Sequence, residues 1–434
     1  MIMKNILYLL IILTSASLQA QENLTLEDAI TKMMANNHEL KSEQMKVKQA
    51  EFNAENMFNN RLPTLKLTGR YSKLSEVDPF VVKFNPALPA VELVPSITDQ
   101  SGIKLVLSQP LFTGFKLESA QSMAEHNNQA GEYDFESRKT ENIVRLSQAY
   151  FSVLSAEKAL AVIQKNLSQL IQRSKDAENM KAQGLLTEND VLKIKVKLSE
   201  VEVTAIQAED NVKLSRMNLN LLLGEKIDQQ YKLEIPKEST NSFQRNSRPE
   251  LLGLEQRIFA QSEYESMAFS DYYPTVFLQI GYDYSNPNQR YFPPKAEWNS
   301  SWDVSLILSY DLWTWDTRSN NVEIAKSQIN MLEESKIQLT TAHDIEIKSA
   351  EMAVERTKKS IAVMENQITQ TGLNLRNTEN MFNAGLVTTT DVLDAQIQNL
   401  QSELQLIQVQ LDHQLNQIKL RRANGTLLNW VNQK

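Results

Sequence analysis

The chain contains one sequence unit twice, and that duplication limits what it can fold into. Asn179-Met180-Lys181-Ala182-Gln183-Gly184-Leu185-Leu186-Thr187-Glu188-Asn189-Asp190-Val191-Leu192 returns 201 residues later as Asn380-Met381-Phe382-Asn383-Ala384-Gly385-Leu386-Val387-Thr388-Thr389-Thr390-Asp391-Val392-Leu393. Gly224 and Gly425 keep that offset, as do Leu111-Phe112-Thr113 and Leu312-Trp313-Thr314. Earlier in each half the offset is 211, matching Glu39-Leu40 to Glu250-Leu251 and Pro63-Thr64 to Pro274-Thr275. The two halves therefore differ in length between Thr64 and Leu111. The expected organisation is a leader (1–20), a first repeat (21–238) and a second repeat (239–434).

Each repeat runs in the same order. A polar, helix-forming stretch comes first (Thr25 to Asn60; Arg248 to Ser270), and Leu62-Pro63-Thr64 or Tyr273-Pro274-Thr275 ends it. Proline cannot continue a helix and holds its predecessor extended. A β-hairpin follows, over 64–111 and again over 275–312. Leu65, Leu67 and Tyr71 alternate with Lys66, Thr68, Arg70 and Ser72, and Ile103, Leu105 and Leu107 alternate with Lys104 and Ser108. The second copy is clearer. Val276, Leu278, Ile280, Tyr282 and Tyr284 share one face, and Trp302, Val304, Leu306, Leu308 and Tyr310 oppose Asp303, Ser305, Ser309 and Asp311. Period-2 alternation gives each strand one apolar and one wet face. No other β segment is expected.

Long helical hairpins complete the repeats, over 113–224 and 314–425. The first helix of each is about 100 Å long at 1.5 Å per residue. Glycine (11) and proline (12) are scarce, which suits such helices. Leu146, Ala149, Val153, Ala156, Leu160, Ile163, Leu167 and Leu170 alternate spacings of three and four. Ile347, Ala350, Val354, Thr357, Ile361, Met364, Ile368 and Thr371 hold the same places 201 residues on. That spacing sets a coiled-coil seam. The returning helices carry different seams: Val191, Ile194, Leu198, Val201, Ala205 and Ala208 in one, Leu393, Ile397, Leu400, Leu404, Ile407 and Leu411 in the other. Two seams suit helices with neighbours on both sides, as in a closed ring, although an ordinary antiparallel coiled coil has the same periodicity.

The first residues read as a secretory signal: Lys4 in a basic start, an apolar run from Ile6 to Leu13, then small residues to Ala20. The chain has no cysteine, hence neither disulfides nor a lipid-bearing N-terminal cysteine. After residue 20 no apolar stretch is long enough for a membrane helix, so entry into a membrane would require strands closing a barrel. Four strands are too few, since single-chain membrane barrels start at about eight. Two chains would give eight strands and a filled barrel, and three would give twelve and a lumen. Aromatic residues crowd the second hairpin. Four of the five tryptophans lie in it or just after it (Trp298, Trp302, Trp313, Trp315), with Tyr282, Tyr284 and Tyr310. Aromatic girdles mark the edges of membrane barrels, whereas a soluble β-sandwich core is the competing reading.

Enzymatic chemistry finds no support. His38, His126, His343 and His413 are scattered without metal-ligand spacing, no glycine-rich phosphate loop occurs, and no cofactor is implied. A net charge of −8 argues against nucleic acid as a partner.

The duplicated arrangement resembles the TolC-like outer-membrane factors over essentially the whole mature chain. Gln109-Pro110-Leu111-Phe112, Gly184-Leu185-Leu186-Thr187, Gly385-Leu386-Val387-Thr388 and Asp391-Val392-Leu393-Asp394-Ala395 carry the resemblance. It implies an α+β membrane protein in the outer membrane of a Gram-negative bacterium. The chain would be a homotrimer, its four strands per chain closing a 12-stranded barrel in the outer-membrane lipid, its helical hairpins forming a periplasmic tunnel. The implied function is passive export in a tripartite efflux or type I secretion system, with a periplasmic adaptor (membrane fusion) protein and an inner-membrane transporter as partners. The rival reading is a periplasmic coiled-coil scaffold.

The resemblance also implies roles for residues. Asp391 and Asp394, three apart on one helix face, would form stacked carboxylate rings at the constricted tip, with Asp190 in the same network. In any protein, however, a carboxylate such as Asp391 in a helix's first turn also suits the helix dipole. Lys193 stands where the second aspartate would be in the first repeat. The turns Gly184, Leu185, Leu186, Thr187 and Gly385, Leu386, Val387, Thr388 would dock the adaptor, unless their apolar residues only staple the turn. Tyr282, Tyr284, Trp302, Tyr310 and Trp313 would form the membrane aromatic belt. The family's tip latch uses a tyrosine and an arginine, and Phe382 and Val387 occupy those positions here.

Overall fold

The computed structural model describes residues 22–86, 89–236 and 245–432. The expected leader, 1–20, lies outside them. In chain order the elements are β1 (Glu22–Leu24), α1 (Leu26–Asn36), α2 (His38–Asn59), β2 (Thr64–Lys73), β3 (Phe80–Val82), β4 (Val91–Val94) and β5 (Asp99–Phe112). Then come α3 (Lys116–Ala182), α4 (Glu188–Leu223), β6 (Tyr231–Leu233), α5 (Pro249–Phe269), β7 (Thr275–Asn286), β8 (Asn299–Ser309), α6 (Thr317–Asn383), α7 (Thr389–Ala423) and α8 (Leu427–Asn432). The described residues form two compact units, one drawn from 22–45, 133–236, 245–252 and 338–432, the other from 46–86, 89–132 and 253–337.

The second of these units holds an antiparallel sheet in the order β2-β5-β7-β8. The two halves of the sequence meet at β5–β7, where Leu105 faces Tyr282 and Leu107 faces Ile280. Register extends these rows across all four strands, as Leu67–Leu105–Tyr282–Trp302 and Leu65–Leu107–Ile280–Val304. The alternate rows are mostly polar, for example Thr68–Lys104–Asp283–Ser301. The apolar face is the bare one. On β8, Trp302, Val304, Leu306 and Leu308 are 57–68% exposed, while Ser301, Asp303 and Ser305 between them are half-buried. A sheet in water has the reverse arrangement. β2 and β8 are edge strands with unpaired backbone groups.

Strands beyond the expected four are present. β3 pairs antiparallel with β4, inside the segment by which the first repeat is longer. β1 pairs in parallel with β6. At three or four residues each, they are too short to show an alternation in sequence.

In the first unit, Leu24, Leu26, Ile30 and Met33 pack on Ile143, Leu146 and Tyr150 of α3, Leu219 and Leu223 of α4, and Leu427 of α8. The Tyr150 hydroxyl lies 2.8 Å from the Leu24 carbonyl and 2.6 Å from that of Glu234, and accepts the Glu234 N–H at 3.0 Å. Burial pushes its pKa well up, so it stays protonated and can donate. The polar stretch expected as one helix is two. Asn37 separates α1 from α2, its amide donating to the Leu222 carbonyl (2.8 Å) and its side-chain oxygen accepting from the Leu40 N–H (3.0 Å). The predicted seams lie inward: Leu146, Val153, Ala156, Ile163 and Leu170 of α3 are buried, with Val191, Ile194, Val201 and Ala205 of α4.

A second apolar row faces outward on two of the four long helices. On α4, Leu192, Val196, Val203, Ile206, Leu214, Met217 and Leu221 are exposed at steps of three, four, seven and eight residues. On α6, within this unit, Ile345, Met352, Val363 and Leu373 are exposed. Among the described residues of the same unit, α3 exposes only Ile171 in this way and α7 none.

Candidate functional site: the hairpin tips

Each long hairpin turns over five residues, 183–187 and 384–388. The turns are built alike. Gly184 and Gly385 both have φ near +74°, a left-handed conformation that side chains with a Cβ avoid. Their N–H groups donate to Lys181 and Phe382, and those of Leu185 and Leu386 reach back to Met180 and Met381, all at 2.9 Å. This pairing satisfies the last carbonyls of α3 and α6. No atom lies within 4 Å of a Cβ built on either glycine, so backbone conformation alone demands them. Leu185 and Leu386 stand out at 64% and 71% exposure, whereas Leu186 and Val387 are half-buried. Leu186 packs on the cluster of Ile163, Leu170, Ala177, Val191, Ile194 and Leu393.

The next helices start with reciprocal caps. Thr187 Oγ1 accepts the Asp190 N–H (3.2 Å) while Asp190 Oδ2 accepts the Thr187 N–H (3.2 Å). Thr388 and Asp391 repeat this at 3.3 and 2.8 Å. In both pairs the threonine hydroxyl also donates to the carboxylate, and its hydrogen bond holds each aspartate below the usual carboxylate range. Asp190 and Asp391 therefore stay ionised and fixed at the helix starts. Asp394 is exposed one turn further along. The sequence pattern Thr-x-x-Asp before an apolar run signals this cap. The helix-dipole preference of Asp391 is one part of that cap, and the reciprocal hydrogen bonds are the other.

The two hairpins also touch. Lys193 donates to Thr390 Oγ1 at 3.3 Å, and the Arg173 guanidinium of α3 is paired with Glu379 of α6. Neither link was expected. Arg173 and Glu379 are 206 residues apart, and no local pattern joins them. The four histidines are not brought together, and no cluster of metal-ligating side chains occurs among the described residues. No described helix is long and apolar enough to cross a membrane.

The sequence profile of the outer membrane efflux protein family matches residues 29–225 and 244–426, most of the chain. The chain belongs to this family. Outer membrane efflux proteins are channels rather than enzymes. The fold is likewise that of solved outer-membrane channels. It is similar to CmeC of Campylobacter jejuni with a TM-score of 0.79 and 15% identity, over 93% of this chain and 86% of that one. VceC of Vibrio cholerae gives 0.76 and 17%, over 92% and 96%, and MtrE of Neisseria gonorrhoeae, in its open state, 0.72 and 16%, over 93% and 89%. Among curated protein sequences none matches. Within the family's architecture, Tyr282, Tyr284 and Trp302 lie on the bare face of the sheet, and Tyr310 and Trp313 follow β8 directly, all exposed.

Proposed function

We propose that this outer membrane efflux protein is the passive export duct of a tripartite efflux or type I secretion system, working as a homotrimer in the outer membrane of a Gram-negative bacterium. The observation that carries the proposal is the inside-out sheet. Four strands expose an apolar face and two unpaired edges, and three such sheets joined edge to edge remove every edge while presenting lipid with the apolar rows. The bare rows on α4 and α6 support the same assembly. α4 of one copy against α6 of the next is a head-to-tail contact, which closes into a ring where the rotation between copies divides a full turn. A periplasmic scaffold would leave both surfaces in water.

In this reading Tyr282, Tyr284, Trp302, Tyr310 and Trp313 are the aromatic belt. Leu185 and Leu386, with the flanking Gly184, Leu186, Thr187, Gly385, Val387 and Thr388, dock the hairpins of a periplasmic adaptor, and an inner-membrane transporter supplies the energy. Asp391 and Asp394, with Asp190 nearby, form the gate. Three copies bring carboxylates of like sign around one axis, which favours cations and their passage. The cap on Asp391 supports a carboxylate fixed in place at the helix start. The test is current through purified protein in a planar bilayer. Small, cation-selective openings are expected, blocked by divalent cations on the tip side. The D391A/D394A double variant should conduct more and discriminate less between cations and anions. Unchanged selectivity in that variant would remove these residues from the gate.

A further inference from the structure

A cleft of about 380 Å3 lies between the two helical hairpins of one chain, close to their turns. Its polar lining is unbalanced: one guanidinium, that of Arg173, faces two carboxylates, Asp176 and Glu379, and is already paired with Glu379. Asp176 receives only a neutral amide, Gln172 Nε2, at 2.9 Å. Gln396 also lines the cleft. It is 4% exposed, and its Oε1 is buried without a hydrogen-bond partner. Thr389, also in the lining and 4% exposed, leaves its Oγ1 equally without a hydrogen-bond partner, so two buried polar atoms of the lining are unmatched. Met180, Phe382 and Val392 supply apolar wall beside these groups.

An unused acceptor, an excess of negative charge and an adjoining apolar wall together specify a ligand. We propose that the cleft binds an amphipathic organic cation, a primary ammonium or guanidinium on a short apolar stem. Its N–H groups donate to Gln396 Oε1 and face Asp176 and Glu379, while the stem lies against Met180 and Phe382. The volume favours a free small molecule over a single side chain of a protein partner, because pockets of roughly 300–1,000 Å3 hold drug-sized ligands. Because the walls come from both hairpins, an occupant ties them together. This site is distinct from the acidic pair Asp391 and Asp394, neither of which lines it.

Calorimetric titration of the full-length protein in detergent tests the proposal, with phenylbutylamine as probe and phenylbutanol as its uncharged counterpart. The amine is expected to bind at least about tenfold more tightly, since its charge-assisted hydrogen bonds are lost in the alcohol. Gln396→Leu and Asp176→Asn should each weaken the amine by about tenfold and leave the alcohol unaffected, each variant first shown to melt like the parent. The D391N/D394N double variant should bind the amine as the parent does. Equal affinity for amine and alcohol, no binding of either, or amine affinity indifferent to both cleft variants would overturn the assignment. If D391N/D394N abolished binding, the amine would reside at the acidic pair instead. Because no current is measured, these outcomes are independent of whether the chain conducts.

Discussion

At the scale of single residues, the same side chains that shape the helix ends set what they can do. Asp190 and Asp391 are capping residues first, since each carboxylate is engaged by its threonine at the start of a helix. Any ring charge they supply is therefore held in place rather than mobile. Elsewhere the buried polar groups carry measurable stability. Replacing Tyr150 with phenylalanine strips a donor from the Leu24 and Glu234 carbonyls and is expected to destabilise by about 1–3 kcal/mol, read as a lowered melting temperature. Arg248, 5% exposed, is paired with Glu250 at 2.8 Å and Glu346 at 2.5 Å. Burial pushes the Glu250 carboxyl upward, but hydrogen bonding to Arg248 prevails and its pKa is lowered from 4.5. A carboxylate depressed in the folded state stabilises above its unfolded pKa, and that contribution fades as pH falls through the folded value. The stability gap between the parent and E250Q should accordingly be widest near neutrality and close below about pH 4. A gap constant from pH 7 to 3 would contradict the pairing.

At the scale of elements, legibility followed periodicity. β2, β5, β7 and β8 were visible because each carries several period-2 alternations. The long helices were visible because heptad spacing persists over many turns and recurs 201 residues on. β3, β4, β1 and β6 were not, since three or four residues hold no detectable period. Asn37 concealed a helix break because its backbone N–H closes α1 on Met33 and its side chain caps α2, without glycine or proline. The Arg173–Glu379 pair and the Gln396 cleft depend on contacts between hairpins that the sequence brings together only on folding. What the sequence did show about the sheet is that its faces differ, and the structure adds that the apolar one is bare. The charge-bearing variant L306R tests its environment. A cation on a lipid-facing strand near mid-membrane costs about 2–4 kcal/mol, so membrane-embedded L306R should unfold at distinctly lower denaturant than the parent. Little change would place Leu306 in water.

At the scale of the whole molecule, duplication makes the chain open at both ends. Its sheet ends on unpaired β2 and β8, and its long helices leave apolar rows on α4 and α6. Neither surface is completed within one chain, and identical copies supply both complements at once. Membership of the outer membrane efflux family agrees with that incompleteness. The claim that joins these observations is that three copies close one twelve-stranded barrel in the outer membrane. Native mass spectrometry of the protein released from separated envelope fractions tests it most directly. The account predicts a single species of three chains, recovered with the outer membrane and persisting until the detergent micelle is stripped away. A one-chain species in the soluble periplasmic fraction would contradict it.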